Sequence, residues 1–318
     1  MTDRQINKWL RKQFSTVGWV LLGCYFLMNL MVTATAGVDY LKQVLNNVSL
    51  GVFPFDVDLD AVYNNAWGYA AAIGVGLIIL YGWKGSTYWK EELFSKTQKM
   101  RPSVFLAAMV LFMGAQMLSS IWMMLVETVM NAFGGSVMPL LESVSGASSS
   151  FSMVLYSVLL APVFEEILFR GYVFRALRPY GKRFAILGSA LLFSFFHGNV
   201  LQAPYAFAAG LILGWLTCEY SIRWAIGLHV FNNLILAEGL TRVMELLPYE
   251  TADMLYSVLF FGAFLISCRI LVKNRWEIAA YNRSEWIDRR CLKCFFTNSG
   301  ILIFSVLMLG SMVSLLMA

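Results

Sequence analysis

Charge is scarce in this sequence. Asp, Glu, Lys and Arg make up 14% of its 318 residues, while 59% are apolar and mean hydropathy is +0.65. An ordinary soluble domain is about 25% charged and 45–50% apolar. The shortage excludes one or two soluble domains with a normal polar surface. It suits apolar helices of about 20 residues that satisfy their own backbone hydrogen bonds in lipid. Cysteine is also sparse. Three of the five (Cys24, Cys218, Cys268) fall inside apolar runs, where a thiol acts as a small hydrophobe. Cys291 and Cys294 form a CxxC in a basic loop, but no second CxxC or nearby histidine completes a zinc set. No internal repeat is visible, which removes support for an inverted-repeat transporter. The basic stretch Met1–Phe14 leads into a long apolar run without a small-residue cleavage pattern, so the run is expected to persist as a first span. The net charge of +5 comes from short loops between apolar runs, which argues against nucleic-acid binding.

Nine apolar stretches stand out, near 16–36, 66–83, 104–125, 151–170, 184–200, 204–220, 224–240, 254–272 and 299–317. Their linkers alternate in charge. Met1–Phe14, Lys84–Arg101, Arg175–Arg183, Glu219–Arg223 and Lys273–Lys293 hold most of the lysine and arginine; Asp39–Asn65 has only Lys42, and Ala132–Ser150 has none. The positive-inside rule then puts the N-terminus in the cytoplasm. The expected fold is an all-α polytopic transmembrane bundle of about 8–9 spans. It forms one integral-membrane domain over 1–318, with N-terminal spans in 1–149, a core in 150–240 and C-terminal spans in 241–318. The acidic run at Asp56, Asp58 and Asp60 lacks the glycine and distal glutamate of a calcium loop and reads as a solvated turn. Gly210 and Gly214 form a GxxxG that predicts close helix packing.

The polar groups inside the apolar runs carry the functional signal, because an ionisable side chain there costs roughly 2.5–3.5 kcal/mol and usually faces a polar cavity. The fourth run reads LLAPVFEEILFRGYVF, with Glu165, Glu166 and Arg170; the fifth ends at His197; the seventh reads IGLHVFNNLIL, with His229, Asn232 and Asn233. These are the only two histidines of the protein. Glu166 and Arg170 are four apart and can pair on one helix face. Glu165 points about 100° away and is left without a partner on its own helix. His229 and Asn233 are likewise four apart, so one face offers an imidazole with a carboxamide. Pro162, a turn before the glutamates, frees a carbonyl and suits a kink. Singly, a Glu–Arg pair can be a structural clamp, and a membrane histidine can simply bond a neighbouring helix. Together, the carboxylate, the imidazoles and the carboxamide are an inventory for activating water and holding an oxyanion.

Three motifs stand in order: Glu165-Glu166-xxx-Arg170, Phe193-xxx-His197 and His229-xxx-Asn233. They resemble the EExxxR, FxxxH and HxxxN motifs, on separate membrane helices, of the CAAX protease and bacteriocin-processing (CPBP, Abi) family, which is related to the type II CAAX prenyl endopeptidases. The likeness covers roughly 150–240. It implies an intramembrane, glutamate-dependent peptidase. Glu165 would be the general base, assisted by His197; His229 and Asn233 would hydrogen-bond the oxyanion; Glu166 and Arg170 would support the site. A carboxylate in an apolar pocket is also a better base near neutral pH.

The resemblance further implies a metal-free site without cofactor, although two carboxylates and two histidines are a possible zinc set. Expected partners are the lipid bilayer and a peptide or membrane-protein substrate, with bacteriocin or peptide processing or immunity as the setting. The expected location is the plasma membrane, multi-pass, of a bacterium. Two other readings are a non-catalytic immunity or regulatory scaffold of the same fold and a proton-coupled transporter. Depth offers a check. Counted from Arg178 and Arg183 at 1.5 Å per residue, Glu165 and His197 both lie about 20 Å deep, whereas His229, counted from Arg223, lies only about 9 Å deep.

Overall fold

The computed structural model describes residues 2–52, 57–144, 150–284 and 287–317, and among these the chain is helical with no strand. The main helices are α1 (Asp3–Ser49), α2 (Trp67–Thr87), α3 (Pro102–Ala132), α4 (Phe151–Tyr180), α5 (Lys182–Phe196), α6 (Ala203–Glu219) and α7 (Ile222–Phe231, continuing to Glu245). They are followed by α8 (Tyr249–Lys273), α9 (Arg275–Ser284), α10 (Arg289–Phe296) and α11 (Ser299–Met317). Six helical segments among the described residues are long and apolar enough to cross a membrane: α1, α2 with its flanks, α3, α4, α8 and α11. The other three apolar stretches form α5, α6 and α7. At 15 and 17 residues, α5 and α6 are about 22 and 26 Å long, short of the roughly 30 Å hydrocarbon core.

Local chemistry explains the boundaries. Thr2 opens α1 with a reciprocal cap: its hydroxyl accepts from the Gln5 backbone N–H, and the Gln5 side chain accepts from the Thr2 N–H. Pro102 begins α3 at a position where its missing N–H costs nothing. Gly181, at φ +116°, makes the turn from α4 into α5 that a side chain would strain. Asp58 accepts from Ala61 N–H and caps the short helix Leu59–Tyr63, a structural use for part of the acidic run; Asp56 lies outside the described residues.

Packing is densest in the middle of the chain. Phe14 of α1, Tyr180 at the end of α4, Phe184 of α5 and Phe295 of α10 form an aromatic cluster with centroids 4.9–5.8 Å apart. The fully buried residues of α1 end at Leu22, and beyond them the helix meets α2, where a Cβ on Gly68 would lie 2.8 Å from the Val32 Cα. Small residues set the close crossings. A Cβ on Gly210 would come within 2.9 Å of the Ala190 Cα and one on Gly214 within 3.4 Å of Ile186, so both glycines of the GxxxG face α5. The sequence did not signal two other crossings. Gly18 of α1 meets Gly300 of α11, where a Cβ would lie 2.1 Å from the Gly300 carbonyl carbon, and Gly114 of α3 meets Ser267 of α8. Cys291 and Cys294 are buried and unbridged. Burial pushes the Cys291 thiol above its usual range, opposite to what a reactive thiolate needs.

Candidate active site

Three wide, π-helical turns build the site. In α4, Tyr156–Leu160 and Ile167–Val173 flank the short α-helical piece Ala161–Glu166 that carries both glutamates. In α7, a third runs over Asn232–Gly239, directly after His229. Pro162 has no N–H to return to the preceding turn, so the helix widens there. Such bulges are rare and frequently sit at functional sites. The i→i+5 spacing rotates the side chains beyond it, which an α-helical count of the sequence does not register. His229 and Asn233 both face α4, His229 at Glu166 and Asn233 at the Ser157 carbonyl.

The glutamates, Arg170 and His229 form a chain of alternating charge type. The Arg170 Nη1 donates to Glu166 Oε1 at 2.7 Å, as the four-residue spacing predicts, and both side chains are fully buried. Nη2 donates to the Gly210 carbonyl at 3.2 Å, and the guanidinium lies 4.4 Å from the Phe193 ring centroid. The same Glu166 oxygen accepts from His229 Nδ1 at 3.0 Å. With its hydrogen on Nδ1, the ring presents Nε2 to Glu165, 3.7 Å from Oε2. Glu165, unpartnered on its own helix, thus faces a partner on α7. The Glu165 side chain keeps 20% of its surface exposed, against none for Glu166. A buried ion pair is tolerable when hydrogen bonds complete it. Completion here is partial, since Glu166 Oε2 and Arg170 Nε have no hydrogen-bond partner.

Helix α5 ends at His197. Gly198, at φ +59°, terminates it with an N–H bond to the Phe195 carbonyl. His197 Nδ1 lies 2.8 Å from the Phe193 carbonyl; a carbonyl can only accept, so Nδ1 carries the hydrogen and Nε2 is left as an acceptor. No hydrogen bond joins His197 to Glu165. The two imidazoles are linked instead through Phe193, whose ring meets His197 edge-on at 4.7 Å and His229 at 5.9 Å.

Asn233 lies at the end of a polar relay. The Tyr205 hydroxyl of α6 donates to Asn232 Oδ1 (2.8 Å), Asn232 Nδ2 donates to Asn233 Oδ1 (3.0 Å), and Asn233 Nδ2 donates to the Ser157 carbonyl of α4 (2.8 Å). Sequence reasoning found Asn233 but not Tyr205, an aromatic among aromatics. It also missed the buried Glu238, whose Oε1 receives Arg242 Nε at 2.7 Å one helical turn later. The depth count put His229 about 11 Å shallower than Glu165, yet the two side chains meet. Arg223, stacked 5.2 Å from the Phe94 ring, does not mark the same level as Arg178 and Arg183.

Among the described residues, no three His, Cys, Asp or Glu side chains are grouped as metal ligands. Two open surface clefts lie away from these residues, one between α1 and the start of α11 and one near Asp39.

Residues 147–235 match the family model described as type II CAAX prenyl endopeptidase, Rce1-like. The matched stretch contains Glu165, Glu166, Arg170, His197, His229 and Asn233. Over that stretch, which is less than half of the chain, the sequence is similar to the CAAX protease family. No curated protein and no solved structure gives a match. The matched segment covers α4–α6 and α7 into the third π-helical turn, leaving α1–α3 and α8–α11 outside it.

Proposed function

We propose that this protein is an intramembrane endopeptidase in which Glu165 activates water to cleave a peptide or membrane-protein substrate. The family match over α4–α7 supports peptidase chemistry. The observation that carries the assignment of roles is the order Arg170–Glu166–His229–Glu165. It commits Glu166 to two donors, whereas Glu165 makes no hydrogen bond and remains partly exposed. A carboxylate that meets water and is not held by an arginine is the better proton acceptor of the two.

Glu165 takes a proton from water, and the free Nε2 of His197 assists. In its oxyanion role His229 carries a hydrogen on both ring nitrogens, with Nδ1–H held by Glu166 and Nε2–H turned toward the reacting carbonyl. The second N–H of the Asn233 amide, beyond the one given to Ser157, is the other oxyanion donor. Arg170 holds Glu166 in place. The reaction is read as metal-free, as the resemblance to the CPBP family implies. The charge alternation of the linkers supports an N-terminus in the cytoplasm, and the proposed location is the plasma membrane.

Comparative membrane proteomics of wild type against Glu165→Gln tests the reading. Substrates accumulate uncleaved in the variant, with cleavage slowed about 10²–10⁴-fold, the usual span for a lost general base. His197→Ala has the same direction, and wild-type cleavage survives exhaustive chelation. An unchanged cleavage profile in Glu165→Gln, with normal membrane insertion, would reject the peptidase in favour of a scaffold.

A further inference from the structure

The contact of Gly18 with Gly300 has a second effect. Without side chains between them, α1 and α11 touch there, with the Gly300 N–H donating to Ser15 Oγ at 3.0 Å and Ser15 and Ser299 hydroxyls 3.2 Å apart. Toward the basic end of α1 the helices leave an open cleft of about 440 Å³ lined by Arg11, Lys12, Ser15, Thr16, Trp19 and the segment Thr297–Ser299. Arg11 and Lys12 are exposed, and neither pairs with a carboxylate among the described residues. Arg290, by contrast, lies 3.0 Å from Asp3. The Thr16 and Thr297 hydroxyls donate to the Lys12 and Lys293 carbonyls, and the Ser15–Ser299 pair and an indole half open to the surroundings complete the lining. On the membrane side the wall continues as Leu302, Ile303 and Val306 of α11, all exposed apolar side chains.

We propose that this cleft binds the headgroup of an anionic phospholipid. Two cations without counter-ions match a phosphate in charge, and the Ser15–Ser299 pair, which leaves one hydroxyl hydrogen over, matches one of its oxygens. Trp19 marks the depth of the headgroups. The adjoining apolar stripe selects the lipid over free phosphate, because acyl chains have an exposed wall to lie against. The site lies outside the matched segment and does not depend on the peptidase reading.

Native mass spectrometry of the full chain, purified in detergent, reads this without regard to topology. Phosphatidylglycerol is titrated against phosphatidylcholine. One phosphatidylglycerol stays bound per chain, and Arg11→Gln/Lys12→Gln weakens it roughly thirty-fold, as two cations near a charged headgroup imply. Arg4→Gln/Lys8→Gln removes the same charge from the same helix outside the cleft and leaves the affinity within about twofold, since distant charges are screened. Thr16→Trp fills the cleft with both cations kept and gives the same loss as the cleft double variant. That second route holds if the glutamine variant misfolds. Equal weakening by the two charge variants would overturn the proposal, because it would show a general surface potential. Equal affinity for phosphatidylcholine, or full competition by inorganic phosphate, would overturn it as well.

Discussion

Helices α4 and α8 are both apolar enough to cross a membrane, with mean hydropathies of 1.7 and 2.1 over their best stretches, yet 39% of that stretch is buried within the protein in α4 and 17% in α8. Met254, Val258, Phe261, Leu265 and Ile266 of α8 stay exposed, and its contact with α3 is one strip through Phe260, Ala263 and Ser267. Helix α4 instead buries Glu166 and Arg170 completely. Hydropathy does not separate the two; their surroundings do. The polar groups lie where protein, not lipid, encloses them, as their cost in hydrocarbon requires. The peripheral helices can vary apolar for apolar, while the central ones carry paired charges and shape.

Substitutions can sharpen that contrast. The largest effect is expected from Arg170→Ala, which leaves Glu166 buried with only His229 for company. A loss of about 3–5 kcal/mol should appear in reversible unfolding in mixed micelles, and a loss under about 1 kcal/mol would mean that the pair is dispensable. Next comes Gly210→Ala, whose new methyl meets the Ala190 Cα at 2.9 Å. Overpacking of about 1–3 kcal/mol is expected, with a fall in cleavage as the Arg170 carbonyl partner shifts. Tyr205→Phe removes one hydroxyl and leaves Asn232 without its donor. It should cost about 1 kcal/mol and lower kcat more than it raises KM, whereas a change in KM alone would remove Tyr205 from the positioning of Asn233. The smallest shift, and opposite in sign, belongs to Gly262→Ala on α8. Nothing lies within 4 Å of the new methyl, so helix propensity alone acts, a gain of up to about 1 kcal/mol. Destabilisation there would show that α8 packs more tightly than its exposure indicates.

Much of this was legible in the sequence. Scarce charge and nine apolar stretches pointed to an all-helical membrane protein, and three spaced motifs pointed to the family. The Glu166–Arg170 pair came from the four-residue rule because that rule survives within one helix. What the count could not give is which group of α4 each of His229 and Asn233 meets, Glu166 for one and the Ser157 carbonyl for the other, since that depends on the facing helix. The partner of Glu165 was hidden for another reason: His229 approaches from a different helix, and depth counted from loop charges misjudged its level. Tyr205, Gly18 and Gly300 were silent because their roles exist only in contacts across helices.

Gly210 joins two requirements in one residue. Its bare Cα fixes how closely α5 and α6 approach, and its carbonyl holds the guanidinium of Arg170. The spacing of the scaffold and the placement of the buried charge are therefore a single adjustable quantity. Any change that spreads those helices also moves the positive end of the series that aims His229, so these helices cannot drift apart in evolution without detuning the chemistry they enclose.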